Sequence, residues 1–312
     1  MAGLIDEHAS GVFIISATPF AADGRLDLDI LDRLTDFYLG HGVAGITLLG
    51  MMGEAQKLDD TEARAVIARV IKRARVPVVV GASLPGMDNL KRLAEDDMAI
   101  GAAGIMVAQL PGLKGDAGVY GYYDQVFARL DPEIPVVYQD YPLATGVALT
   151  TECWQRMTRA FPRLVMLKHE DCPGLAKLSR IRADEARPGS RRVSILVGNG
   201  GLYLPQELAR GADGAMTGFA CPEMLVDACL RFAAGDAEGA EDIFDAYLPL
   251  VRYEQQPGIG LALRKEILYR RGAIACPAVR APGPKLGADD HRELDSLLRR
   301  LERRLPDLPQ AA

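Results

Sequence analysis

The stretch HGVAGITLL, residues 41–49, decides the fold. Two later stretches repeat its pattern: IGAAGIMVA at residues 100–108 and RGADGAMTG at residues 210–218. In each stretch one glycine ends a helical segment, and a second glycine opens a short apolar run. The repeated pattern predicts three equivalent joins between a helix and the strand that follows it.

Eight short apolar runs alternate with segments of helical spacing along the first 220 residues. Most of the runs are apolar at consecutive positions, which is typical of strands buried on both faces of a parallel sheet. Eight alternating units with three matching joins favour a (β/α)8 TIM barrel over a doubly wound sheet. The predicted strands are 12–15, 45–49, 76–80, 104–107, 135–138, 164–167, 193–197 and 214–217.

The remainder of the chain has only helical patterns. The predicted helices are 222–234, 237–253, 259–271 and 289–304, and the proline-rich segment 275–287 is a predicted linker. The first of these helices completes the barrel as its eighth helix. The sequence therefore predicts a barrel over residues 1–234 and a C-terminal helical extension over residues 235–312.

The composition of the chain limits which partners and which cellular location we expect. The 312 residues carry a formal net charge of -6, which argues against nucleic acid or an anionic membrane as the main partner. No apolar run is long enough to span a bilayer, and the N-terminus does not have the pattern of a secretory signal, so we expect a cytoplasmic protein. The five cysteines are scattered and the four histidines lie far apart, so we predict neither a disulfide framework nor a metal site.

The segment LVMLKHED, residues 164–171, places a lysine where the sixth predicted strand ends. In TIM barrels, chemistry takes place at the C-terminal ends of the strands, so Lys168 has a position suited to catalysis. One interpretation is a solvated lysine paired with Glu170 or Asp171. The other is a Schiff-base lysine, because an amine removed from water is more often the neutral nucleophile that attacks a carbonyl.

Five ordered motifs carry a resemblance to a known family. They are ATPF (17–20), GMMGE (50–54) followed by LDDTE, PVVYQDYPLATG (135–146), LKHE (167–170) and GADGAMTG (211–218). From about residue 12 to residue 230 the chain resembles the dihydrodipicolinate synthase and N-acetylneuraminate lyase family. This resemblance implies a small 2-oxo acid substrate, a covalent Schiff base on Lys168, no metal or organic cofactor, and a homo-oligomer, either a tetramer or a dimer.

The second predicted strand departs from the family at its end. Family members usually have two hydroxyl residues in this motif, where this chain has Met51 and Met52. The backbone N–H groups of Met52 and Gly53 remain candidates to hold a substrate carboxylate, because that contact needs no side chain. The alternative is that the two methionines only fill the core.

The fifth predicted strand also departs from the family. Its pattern aligns without a gap, so that Gln139 occupies the position of the family's catalytic tyrosine and Ala144 that of an arginine in dihydrodipicolinate synthases. Tyr138 precedes Gln139, so we expect Tyr138 to point away from the barrel axis. Gln139 forms hydrogen bonds but does not act as an acid or a base. The aromatic pair expected after the fourth strand is missing from residues 109–123.

Two further segments supply predicted substrate contacts. In LVGNGGLYLP, residues 196–205, Asn199 and Gly200 are candidates for a substrate hydroxyl, although the segment also fits a tight turn into the next helix. Met216 and Thr217, in the last of the repeated joins, complete the predicted set.

The resemblance favours one branch of the family. The QDxP sequence, the K-x-E spacing of Lys168 and Glu170, and the segment LPLVRYEQQPGIGLALRKEIL are similar to the 2-keto-3-deoxy sugar acid dehydratases, with L-2-keto-3-deoxyarabonate dehydratase nearest in likeness. We therefore predict a Schiff-base lyase acting on a 2-oxo acid, with Glu170 as the base and Gln139 orienting the substrate. The alternatives are a pyruvate-dependent aldolase and a non-catalytic 2-oxo acid binding protein on the same fold.

Overall fold

Eight parallel strands close into a barrel in sequence order, which confirms the predicted fold class. The structure is a computed structural model, and it describes residues 3–172 and 174–307. The strands are β1 Gly11–Ile15, β2 Gly45–Leu48, β3 Val78–Gly81, β4 Gly104–Ala108, β5 Val136–Asp140, β6 Leu164–His169, β7 Ser194–Val197 and β8 Gly214–Thr217. All eight predicted strands are present, but β5 and β6 each continue two residues beyond the predicted end.

The helices between the strands surround the barrel, and three more follow it. They are α1 Leu28–Gly40, α2 Asp60–Arg73, α3 Met87–Ile100, α4 Gly115–Arg129, α5 Pro142–Thr145, α6 Thr151–Ala160, α7 Leu175–Glu185, α8 Leu204–Leu208, α9 Pro222–Ala233, α10 Ala237–Glu254, α11 Gly260–Arg270 and α12 Ala288–Arg304. The four predicted C-terminal helices agree with α9 to α12 within about a residue at each end. The division into two units at residue 234 stays a prediction.

The glycines of the three repeated joins have the expected conformations. Gly42, Gly101 and Gly211 all have positive φ angles, which a residue with a side chain adopts only with strain. The second glycines serve packing. A Cβ on Gly45, for example, would lie 2.3 Å from the ring of Phe13. The joins are therefore specified by backbone conformation at the helix end and by close packing at the strand start.

Helix α2 shows how a sequence signal fixes a helix that borders the site. The Asp59 side chain accepts a hydrogen bond from the backbone N–H of Glu62, and the Glu62 side chain accepts one from the backbone N–H of Asp59. This capping box fixes the N-terminus of α2. The buried face of α2 consists of Val66, Ile67 and Val70, each of which contributes about 1.5–3 kcal/mol by leaving water.

The predicted linker is fastened to the barrel. The guanidinium of Arg280 donates to both carboxylate oxygens of Glu62, at 2.5 and 2.6 Å, and to the carbonyl oxygens of Gly24 and Lys57. A segment without regular structure thereby gains a fixed position over the loops that follow β1 and β2.

Two composition-based expectations concern cysteines and the membrane. All five cysteines are free thiols, as expected. Over residues 3–172 and 174–307, no helix combines the length and the apolar character needed to cross a bilayer.

Candidate active site

Strand register places Lys168 inside the barrel. Lys168 pairs with Gln139 on β5 and with Leu196 on β7, and directly paired residues share a face of the sheet. Tyr138, one residue before Gln139, points outward: its ring stacks on Tyr123 of α4 at 4.6 Å between ring centroids. Gln139 and Lys168 therefore point inward, and Lys168 is the last residue but one of β6, at the C-terminal mouth of the barrel.

Tyr138 is removed from the site, as the alternation predicted. Its hydroxyl is hydrogen-bonded to Gln109, and its side chain is fully buried outside the barrel. Burial raises the pKa of Tyr138 well above its ordinary value, so the phenol stays protonated. The aromatic residue next to the family's tyrosine position consequently does not replace that tyrosine.

Lys168 and Glu170 form a buried ion pair. Lys168 Nζ lies 2.8 Å from Glu170 Oε2, and the two side chains are 3% and 8% exposed. Gln139 Nε2 donates to the same oxygen at 2.8 Å. The Glu170 N–H donates to the Asp140 carbonyl at 2.9 Å, so the sheet ladder continues past the last residue of β6. This continuation explains why Glu170, two residues after Lys168, shares its face.

Glycine is required next to the Glu170 carboxylate. A Cβ on Gly198 would lie 2.2 Å from Glu170 Cγ and 2.7 Å from Oε1. Gly198 therefore leaves room for a close approach between the end of β7 and a side chain of the site itself.

The turn after β7 is held by hydrogen bonds to Glu170 and to Thr217. Asn199 has a φ of 51° and donates from Nδ2 to the Glu170 carbonyl at 3.1 Å. The Gly200 N–H donates to the Thr217 hydroxyl at 2.7 Å. Met216 is fully buried beneath the mouth. Asn199, Gly200 and Thr217 thus shape the turn beside Glu170, and their contact with substrate stays a prediction.

The turn after β2 differs in one respect from the expectation. Residues Met51–Gly53 form a 3-10 turn in which the Gly53 N–H donates to the Gly50 carbonyl at 3.0 Å. Gly53 is therefore not free to bind a carboxylate. Among the hydrogen bonds of the described residues, none uses the N–H of Met51 or Met52, so these two are the available donors. The side chain of Met51 is half exposed, whereas that of Met52 is buried.

A second set of polar side chains supports the site from outside the barrel, and sequence analysis missed it. Asp140 and His169 alternate with Gln139 and Lys168 and therefore point outward. Lys177 Nζ of α7 lies 2.6 Å from Asp140 Oδ2, and His169 Nδ1 lies 3.6 Å from the same oxygen. These contacts fix the ends of β5 and β6, which carry the inward pair.

Tyr141 is another residue that sequence analysis missed. It follows β5 and lines a cavity of about 450 Å³ together with Gly50, Met51, Gln139 and Ala144. Burial, followed by the negative charge of Glu170, raises the pKa of Tyr141. Its position two residues after Gln139 was the signal that could have revealed it, because such residues share a face.

Sequence comparison identifies the family. The profile of the dihydrodipicolinate synthetase family matches residues 8–301. The chain belongs to this family. Members of the dihydrodipicolinate synthetase family are lyases that act through a lysine Schiff base without a metal, and this chain is an enzyme of that class.

Similar proteins of this family have different names. The chain is 32% identical over 303 residues to 4-hydroxy-tetrahydrodipicolinate synthase of Sorangium cellulosum, covering 95% of this chain and 97% of that protein. It is 30% identical over 301 residues to L-2-keto-3-deoxyarabonate dehydratase of Azospirillum brasilense, covering 94% of each. A crystal structure of a dihydrodipicolinate synthase from Rhodopseudomonas palustris matches with a TM-score of 0.94 and 45% identity, covering 96% of this chain and all of that one.

Metal binding has no visible basis in the described part of the chain. Across residues 3–172 and 174–307, no three side chains among His, Cys, Asp and Glu are grouped so that they could hold a metal ion.

Proposed function

We propose that the protein dehydrates a 2-keto-3-deoxy sugar acid through a Schiff base on Lys168. The observation that carries the proposal is the buried Lys168–Glu170 pair at the barrel mouth, with Gln139 bonded to the same carboxylate. Glu170 is placed to accept a proton from Lys168, which leaves the neutral amine to attack the C2 carbonyl of the substrate. Loss of one water from the adduct then gives the iminium.

Glu170 is also placed to move the proton that elimination requires. Its Oε2 lies 2.8 Å from Lys168 Nζ, and in the iminium the C3 carbon is only two bonds from that nitrogen. Glu170 takes a proton from C3, and the iminium receives the electron pair as an enamine. The enamine then expels the C4 hydroxyl, which leaves as water with the proton from Glu170. Hydrolysis of the resulting iminium returns Lys168 and releases an unsaturated 2-oxo acid.

The residue at the family's tyrosine position favours this reaction over an aldol cleavage or synthesis. Aldol cleavage needs a base at the C4 hydroxyl, and Gln139 has no titratable group. Ala144 has no charge with which to hold a second carboxylated substrate such as aspartate semialdehyde. The available N–H groups of Met51 and Met52 are the proposed carboxylate donors of the turn after β2. A cytoplasmic location and a homo-oligomeric state stay predictions.

The test combines covalent trapping with product analysis. Borohydride with pyruvate should add one pyruvate-derived mass at Lys168, located by peptide mapping. Lys168→Met should abolish this label. Lys265→Met is the matched control and should keep it, because Lys265 is also buried and paired with a glutamate but lies outside the barrel mouth. Wild-type protein that stays unlabelled, under conditions that label a known Schiff-base aldolase, would overturn the assignment.

Product analysis then separates the reactions. With a panel of 2-keto-3-deoxy sugar acids, we expect a product lighter than its substrate by one water and no pyruvate. Release of pyruvate would identify an aldolase instead. Rapid turnover of pyruvate with aspartate semialdehyde would identify a synthase and would contradict the significance assigned to Gln139 and Ala144.

A further inference from the structure

Arg264 brings a positive charge from the C-terminal helices to the barrel mouth. It lies in α11 and is only 8% exposed. Its Nη1 is 3.1 Å from the position that a Cβ on Gly218 would occupy. Leu196 shares the inward face with Lys168 and pairs with Gly214, so Gly218, four residues after Gly214, also faces inward. Arg264 Nη1 therefore lies beside the inward face of Gly218, directly after the end of β8.

The guanidinium is held at one edge and free at the other. Arg264 Nε donates to Glu254 Oε2 at 2.7 Å, and the Glu254 side chain is fully buried. The second Glu254 oxygen accepts the Ala220 N–H at 3.4 Å. Among the described residues, no hydrogen bond uses Nη1 or Nη2 of Arg264. Nη1 and Nη2 are not among the fully buried side-chain atoms that lack a partner, so they border space that a ligand can enter.

Met52 places the same guanidinium beside the turn after β2. Met52 Sδ is 1.7 Å from the Cβ position of Gly218, which is also the point that Arg264 Nη1 approaches. Only glycine at residue 218 leaves room for both side chains. The guanidinium thus lies next to the turn in which Met51 and Met52 retain free N–H groups but have no hydroxyl.

We infer that Arg264 binds the C1 carboxylate of the 2-oxo acid, together with the backbone of Met51 and Met52. A guanidinium presents paired N–H donors that match the two oxygens of a carboxylate. Glu254 orients Arg264 and leaves its outer edge free for that contact. The inference rests on the proposed function, since it assigns the carboxylate of the substrate that Lys168 attacks.

The experiment measures the concentration of ketone needed for half-maximal borohydride labelling at Lys168. Pyruvate carries the carboxylate, and hydroxyacetone is an uncharged ketone of similar size. Arg264→Met should raise the half-maximal concentration of pyruvate about 10- to 100-fold, equivalent to about 1.4–2.8 kcal/mol, and leave that of hydroxyacetone nearly unchanged. Arg264→Lys keeps the charge but loses the paired donors. Its half-maximal concentration of pyruvate should lie between those of wild type and Arg264→Met.

A matched control separates recognition from folding. Arg271 is also paired with a glutamate, Glu223, at 2.9 Å, and Arg271→Met should leave the preference for pyruvate intact. If Arg264→Met does not fold, Arg264→Lys provides the test. In that variant, an unchanged ratio of the half-maximal concentrations of pyruvate and hydroxyacetone overturns the inference. Equal losses for both ketones would also overturn it, since they would indicate a structural role. Absence of wild-type labelling by either ketone would instead overturn the proposed function, and this inference with it.

Discussion

Two buried lysine–glutamate pairs lie in different regions of the molecule. Lys168 and Glu170 meet inside the barrel mouth at 2.8 Å. Lys265 of α11 and Glu54 after β2 meet at 2.5 Å, where both side chains are fully buried between the barrel and the C-terminal helices. The residue types and the distances are nearly the same, so the surroundings must decide what each pair does.

The surroundings of Lys265 and Glu54 supply further hydrogen-bond partners to both side chains. Lys265 Nζ also donates to the Ala278 carbonyl at 2.9 Å and lies 4.6 Å from the centre of the Phe20 ring. The second Glu54 oxygen accepts from Lys57 at 2.8 Å and from the Arg280 N–H at 3.0 Å. Burial lowers the pKa of Lys265, and the charge of Glu54 opposes this shift.

The Lys168–Glu170 pair at the barrel mouth has fewer hydrogen-bond partners. Within the described chain, Lys168 has Glu170 as its one polar partner, and the Glu170 carboxylate receives one further hydrogen bond, from Gln139. A complete set of partners makes a buried pair part of the fold. An incomplete set leaves hydrogen-bonding groups free to bind a substrate.

Glu170→Gln should give the largest effect. The change keeps size and hydrogen bonding but removes the group that transfers the proton, so kcat on the identified substrate should fall about 10²- to 10⁴-fold. Borohydride labelling at Lys168 should still reach completion, because attack on the carbonyl precedes proton removal from C3. It should be slower than in wild type, because solvent must then take the proton that Glu170 accepts from the amine. A kcat within about threefold of wild type would remove Glu170 from the mechanism, since that is only about 0.65 kcal/mol.

Lys265→Met should affect stability and leave the chemistry in place. Removing one partner of a buried pair leaves the other charge uncompensated, so the free energy of unfolding should fall by about 3–5 kcal/mol. The double variant with Glu54→Gln should lose less than the sum of the single losses. Urea unfolding of the three variants gives this comparison. Additive losses would mean that the two side chains do not stabilise each other.

Asp97 extends the comparison to a buried carboxylate without a hydrogen-bond partner. It lies in α3, and neither of its side-chain oxygens has a hydrogen-bond partner among the described residues. Burial, followed by the charge of Asp96, raises the pKa of Asp97 to about 7. The folded state therefore keeps a proton that the unfolded state releases above about pH 4, so stability falls as the pH rises from about 4 to 7.

Asp97→Asn should remove that dependence on pH. The variant should be more stable than wild type at pH 8, by up to about 4 kcal/mol, and close to wild type at pH 4. Thermal or urea unfolding across this range provides the measurement, and the pH 4 value serves as the internal control. If wild type and Asp97→Asn lose the same stability as the pH rises, Asp97 is not the source of that loss.

The sequence by itself determined the barrel and the inward pair. Periodicity and glycine-marked joins are local signals, so they located all eight strands. The alternation of side chains along a strand placed Tyr138 outside and Gln139 inside, and the same rule extended to Glu170 once the ladder continued past β6.

Only the tertiary structure decided which groups surround that pair. Glu54 and Lys265 are 211 residues apart in the chain, and Arg264 reaches the mouth from a helix that follows the barrel. The Gly53 N–H is engaged because the turn closes on Gly50, which the motif alone did not reveal. No local period relates such distant groups. They meet because helices after residue 234 pack over the ends of β1, β2 and β8, and that packing fixes which donors are satisfied and which remain for a substrate.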